Sequence, residues 1–101
     1  MKRMKDLDLV AKGTNEGNEF IIPLSEPLKD GVYLLNITSD GNSAACVMMV
    51  NGNDNYSSYY YETSNDGVAA IKYIRESGEF FAEAGGGVLD DGFTMEIYKI
   101  I

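Results

Sequence analysis

The residues best suited to chemistry lie in one stretch rich in asparagine, aspartate and tyrosine. A tyrosine ring offers a large rigid face with a hydroxyl group, and beside Asn and Asp it also suits the faces and hydroxyls of sugars. On a strand, Tyr59 and Tyr61 point to one side and Tyr60 to the other, so the cluster cannot lie entirely in a core. The candidate ligand or interface residues are therefore Asn53, Asp54, Asn55, Tyr56, Tyr59 and Tyr61.

Simpler interpretations apply to the same stretch. Aromatic residues favour strands and cross-strand packing, so these tyrosines could serve the fold alone. Residues 51–56 carry oxygen ligands that a hard cation such as Ca²⁺ prefers. They lack the ordered spacing and terminal glutamate of an EF-hand loop, and Asn, Asp and Gly are ordinary loop residues. We predict a hairpin loop there, with no bound metal and no cofactor.

The composition argues against catalysis. The chain has no histidine, which is the usual general acid or base near neutral pH. Its single cysteine, Cys46, lies in the apolar run 44–50 and is predicted to be a small buried residue. We predict that the protein is not an enzyme. The alternative is a carboxylate-dependent glycan hydrolase, which needs two acids across a cleft, although many acids sit in predicted turns: Asp30, Asp40, Asp66 and Asp91.

The charge of the chain disfavours two classes of partner. Its 101 residues carry a formal net charge of −8, and the excess of acids lies beyond the first dozen residues. Such a surface repels phosphate backbones and anionic lipid, so we expect no nucleic-acid or membrane partner. No apolar stretch is long enough to cross a bilayer, and the start lacks the apolar block of a signal peptide.

Glycine turns define the elements that must position these residues. Asp-Gly or Asn-Gly pairs, which suit tight hairpins, occur at residues 30–31, 40–41, 51–52, 66–67 and 91–92. Between them lie short apolar and aromatic runs. We predict an all-β fold, a small antiparallel sandwich or jelly roll of about seven to eight strands. The clearest strands are residues 19–22, 32–39, 43–51, 57–63, 68–75, 79–83 and 93–101.

The start of the chain lacks a strand pattern. We predict that residues 1–18 form an arm or docking segment and that residues 19–101 form the sandwich domain. The short strand 19–22 ends at Pro23, which cannot donate a ladder hydrogen bond, so we place this strand at an edge.

Two predicted strands are apolar on both faces. An antiparallel sheet with one face in water should alternate apolar and polar residues. Either a second layer covers these strands, or their outer face packs against another subunit. We favour the subunit, because a chain of this length has little material for a third layer. The apolar residues are Val32, Tyr33, Leu34, Leu35 and Ile37 in one strand, and Cys46, Val47, Met48, Met49 and Val50 in the other.

Three segments resemble a known class of protein. The runs 30–39, 44–50 and 92–100 are similar in style to the small β-sandwich head domains of bacteriophage tail fibres and related virion proteins. Those heads are in turn similar to the jelly-roll heads of tumour necrosis factor-like trimers.

The resemblance implies a virion protein without enzymatic activity. It would form a homo-oligomer, with a trimer favoured, contact other virion or fibre proteins through the arm, and possess the capacity to bind a host-surface glycan. The alternative is a capsid or tail decoration or adaptor subunit with no small ligand. The implied location is the virion, after synthesis in the host cytoplasm.

Overall fold

The computed structural model describes residues 7–39, 42–62, 67–84, 89 and 91–101. For residues 42, 57–62, 67–69 and 84 it describes the backbone alone.

Every regular element in the described part of the chain is a β-strand. The strands follow one another closely, which matches the frequent glycine turns of the sequence. The predicted all-β antiparallel fold is confirmed, with eight strands. They are β1 (Asp8–Glu16), β2 (Glu19–Ile21), β3 (Gly31–Ser39), β4 (Asn42–Val50), β5 (Asp54–Glu62), β6 (Gly67–Ile74), β7 (Glu79–Ala84) and β8 (Thr94–Lys99).

The eight strands form one continuous sheet. Their order is β4-β3-β8-β1-β2-β7-β6-β5, and all the pairs are antiparallel. The sheet curls until β4 and β5, at opposite ends of this order, come into contact. Its two halves therefore enclose one interior, as the two layers of a sandwich do.

The N-terminal region contributes a strand where the sequence predicted an arm. Residues Asp8–Glu16 form β1, which pairs with both β8 and β2 near the middle of the sheet. The domain boundary placed at residue 19 is therefore corrected, and residues 1–6 lie outside the described part. The strand escaped detection because its inward positions carry Ala11, Gly13 and Asn15, which show no period-two apolar pattern.

The predicted edge strand is also an interior strand. β2 pairs with β1 on one side and with β7 on the other. Pro23 lies two residues beyond the last residue of β2, so its missing N–H group costs the ladder no hydrogen bond. The edges of the sheet are β4 and β5.

The interior is filled from both halves of the sheet. In β8 the predicted alternation is confirmed, because Met95 and Ile97 are fully buried while Glu96 and Tyr98 are only partly buried on the other face. On the inner face of the paired strands β6 and β7, the rings of Tyr73 and Phe80 stack with centroids 4.5 Å apart. The other fully buried large side chains are Phe20, Tyr33, Leu35, Ile37, Met48, Val50 and Ile71.

Candidate functional site

The predicted ligand residues lie at the turn between β4 and β5 and on β5 itself. Asn53 and Asp54 are exposed, and Tyr56 exposes 58% of its surface on the outer face of β5. The side chains of Tyr59 and Tyr61 lie outside the part that the structure describes. The exposed side chains of the predicted contact site that the structure describes are those of Asn53 in the turn and of Asp54 and Tyr56 on β5.

Asn55 has a role inside the turn. Its side chain is buried, its Oδ1 accepts a hydrogen bond of 2.9 Å from the N–H of Asn51, and its Nδ2 donates to the carbonyl of Gly52. These contacts stabilise a turn in which Gly52 adopts a φ of 116°. The oxygen of Asn55 is thus directed at the backbone of its own loop.

Tyr56 is joined on the outer face by a lysine that the sequence did not single out. Lys72, directly opposite in β6, places its Nζ 5.6 Å from the centroid of the Tyr56 ring. The hydrogen bond and charge interaction with Tyr56 raise the pKa of Lys72. A lysine ammonium over a tyrosine ring is attracted by the negative face of the ring. Strand pairing, which sequence alone did not supply, is the signal that identifies this lysine.

The outer face of β4, β3, β8 and β1 carries a second candidate site. The strand register places Val47 beside Leu34, Leu34 beside Tyr98, and Tyr98 beside Leu9. In the next row Met49 lies beside Val32. We call these six residues the apolar stripe: Leu9, Val32, Leu34, Val47, Met49 and Tyr98.

The apolar stripe is open to solvent in the single chain. Met49 exposes 63% of its surface, Val47 55% and Leu9 51%. Scattered exposed apolar residues are normal in folded proteins. Here the strand register joins apolar residues into one row across four strands. The sequence predicted the two-faced character of β3 and β4. It did not predict that β1 and β8 extend the same surface, because β1 was not recognised as a strand.

A polar row borders the apolar stripe. The register places Asn36 of β3 beside Glu96 of β8, and Glu96 beside Lys12 of β1. The Asn36 Nδ2 donates a hydrogen bond of 3.2 Å to Glu96 Oε1. Burial raises the pKa of Tyr98, and the Glu96 carboxylate raises it further through its charge and a hydrogen bond. Glu96 and Lys12, which carry opposite charges, therefore lie side by side at this border.

Several carboxylates have structural contacts. Asp30 Oδ1 accepts a hydrogen bond of 2.6 Å from Arg75, and Asp91 Oδ1 accepts one of 3.3 Å from the N–H of Gly17.

Cys46 is half-buried and packs against the core. Among the described residues no group of three or more acids and cysteines could hold a metal ion. No helix within the described ranges is long and apolar enough to span a membrane.

Comparison of this chain with protein-family models, with curated proteins and with solved structures found no match.

Proposed function

We propose that this protein is a non-enzymatic assembly module that associates with copies of itself through the apolar stripe. The observation that carries the proposal is the contiguous row Val47, Leu34, Tyr98 and Leu9 on the outer face of four adjacent strands. Covering such a row removes apolar surface from water, worth roughly 25 cal/mol per Å² before the costs of association. A wet outer face would carry polar residues instead.

Charge favours a second copy as the partner. β3 and β4 contain no charged residue in a chain of net charge −8, so these two strands add no charge repulsion between two copies that pack through the apolar stripe. The adjacent Lys12 and Glu96 supply one charge of each sign at its border. Each copy can therefore offer an acid and a lysine to the opposite charges of a neighbouring copy.

We further propose a bacteriophage virion or tail fibre as the setting, with a trimer as the assembled form. Support comes from the resemblance of residues 30–39, 44–50 and 92–100 to the head domains of tail fibres. A decoration or adaptor subunit uses the same surface without a small ligand and is the alternative within this class.

The test is the mass in solution of three proteins. We expect the wild-type chain to give a multiple of its 11.1 kDa mass by native mass spectrometry and light scattering at micromolar concentration. Val47→Lys places an ammonium in the apolar stripe and should give the monomer, because an unpaired charge in an interface is strongly unfavourable. Ser77→Lys changes the net charge equally in the exposed β6–β7 turn and should assemble like the wild type.

Two results would count against self-assembly. A wild-type protein that stays monomeric at high micromolar concentration removes the proposal outright. Equal masses for the Val47→Lys oligomer and the wild-type oligomer place the interface elsewhere. Thermal unfolding of each variant verifies that Val47→Lys, at a position more than half exposed, keeps the fold.

The exposed ring of Tyr56 favours glycan binding as a second candidate function. Sugar faces pack on aromatic rings, and Asp54 lies on the same face two residues away. On an array of host-surface glycans we expect specific retention that Tyr56→Ala weakens about tenfold or more. Tyr56→Phe keeps the ring and should retain most of the binding. A flat array for the wild-type protein contradicts this candidate and favours the decoration or adaptor role.

A further inference from the structure

A cleft lies between the connection from β2 to β3 and the adjacent end of the sheet. We call residues 22–30 the strap. Its residues 23–29 form one wall of the cleft, and Val10 of β1 and Lys99 of β8 form the other. Tyr33 of β3 also lines the cleft and is almost fully buried. The volume of the cleft is about 540 Å³. That value lies within the range of small-molecule sites, roughly 300 to 1,000 Å³.

The strap is held in place by hydrogen bonds from the rest of the fold. The N–H of Leu28 donates a hydrogen bond of 2.8 Å to the buried Tyr73 hydroxyl, and Arg75 Nε donates one of 3.0 Å to the Leu28 carbonyl. The Tyr33 hydroxyl donates a hydrogen bond of 2.7 Å to the carbonyl of Lys29. Arg75 also pairs with Asp30. The cleft is therefore formed before any ligand arrives, which lowers the cost of binding.

Apolar side chains form a part of the walls of the cleft. Pro23, Leu24, Pro27 and Leu28 line it from the strap, and Val10 faces them from β1. The two prolines restrict the backbone of the strap, because each fixes its own φ. An apolar ligand body would bury surface here without displacing hydrogen-bonded groups from these side chains.

Two lysines line the same cleft. Lys99 places its Nζ 5.7 Å from the centroid of the Tyr33 ring, and Lys29 lines the cleft from the strap. Neither lysine forms an ion pair with another described residue. One carboxylate, that of Glu26, also lines the cleft, so the cations exceed the anions by one. The two lysines are the groups of the lining that would attract an anionic group of a ligand.

We propose that the cleft binds a small amphipathic carboxylate, with its apolar chain against the strap and Val10 and its carboxylate between Lys29 and Lys99. The apolar walls would contact the hydrocarbon tail of the ligand, and the two lysines would bind its carboxylate. This inference is independent of self-assembly, because the apolar stripe contributes no residue to the lining of the cleft.

Titration calorimetry with octanoate on the full chain tests this site. We expect saturable binding, and weaker binding of octanol, which has the same tail without the charge. Lys29→Gln and Lys99→Gln should each weaken octanoate binding about three- to tenfold and leave octanol binding unchanged. Lys72→Gln removes a lysine from the outer face of β6 and is the matched control, with unchanged affinity expected. Lys29 is exposed, so its variant should keep the fold.

Three results would overturn the proposal. Octanoate could fail to bind the wild-type protein. The two cleft variants could bind like Lys72→Gln. Octanoate binding could respond to Val47→Lys in place of the lysine variants, which would locate the ligand on the apolar stripe.

Discussion

Gly13→Ala should destabilise the protein by about 3 kcal/mol or more, because β1 and β2 leave no room for a side chain at this position. A Cβ built there would lie 1.9 Å from the backbone carbonyl oxygen of Ile21 and 3.0 Å from Ile22 Cδ1. The carbonyl belongs to a strand paired on both sides and cannot move alone. In a domain of this size, this loss corresponds to a fall of about 12 °C or more in Tm.

Gly52→Ala is the matched control for this prediction. Gly52 has a φ of 116°, which an L side chain rarely adopts, but an added Cβ would have no atom within 4 Å. The backbone strain alone should cost about 1 to 2 kcal/mol. Chemical denaturation of both variants separates the two effects. A Gly13→Ala protein as stable as Gly52→Ala would show that the two strands separate at little cost.

Phe80→Ala should cost about 3 to 5 kcal/mol, a large share of the roughly 5 to 15 kcal/mol that stabilises a typical domain. Phe80 is fully buried, and its ring stacks on Tyr73 at a centroid distance of 4.5 Å. The hydroxyl of Tyr73 accepts the hydrogen bond from Leu28 that holds the strap. Removal of the Phe80 ring therefore leaves a cavity beneath the residue that anchors the cleft wall.

The neighbouring Phe81 gives a matched control for Phe80. It is the same residue type one position along β7, and its side chain lies on the outer face, half-buried. Phe81→Ala should cost about 1 kcal/mol, since only part of its ring is removed from water. The measurement is the guanidinium unfolding midpoint at constant m value. Equal losses for the two variants would contradict the assignment of their faces.

Strand alternation predicted the parts of the fold in which inward residues are large. Met95 and Ile97 alternate with Glu96 and Tyr98, so β8 could be placed with its buried face correct. β1 could not be found this way, because its inward residues are small or polar. Gly13 meets the backbone of Ile21, and a larger residue there would clash. A close approach between strands thus removes the pattern by which strands are recognised.

Asn15 shows a second limit of the sequence pattern. Its side chain is buried, and its Oδ1 accepts a hydrogen bond of 2.9 Å from the N–H of Phe93, while its Nδ2 donates to the carbonyl of Gly17. A buried amide of this kind is tolerated because its polar atoms are bonded. In the sequence it lies among glycine, threonine and asparagine, which favour loops.

The candidate sites also differ in how far the sequence predicts them. Asp54 and Tyr56 are exposed, which agrees with the contact role that their clustering in the sequence predicted. The apolar stripe and the cleft combine residues far apart in the chain, such as Leu9 with Tyr98 and Val10 with Lys99. Only the strand order brings these pairs together, and local patterns do not encode that order.

The position of β8 between β3 and β1 has a consequence for biosynthesis. During translation, β1 emerges before β8 and cannot pair with it until residues 94–99 have left the ribosome. Pairing across such a sequence separation is slow, because loop closure must precede any gain from contact. Nascent chains should therefore remain partly unfolded and prone to aggregation until synthesis passes β8.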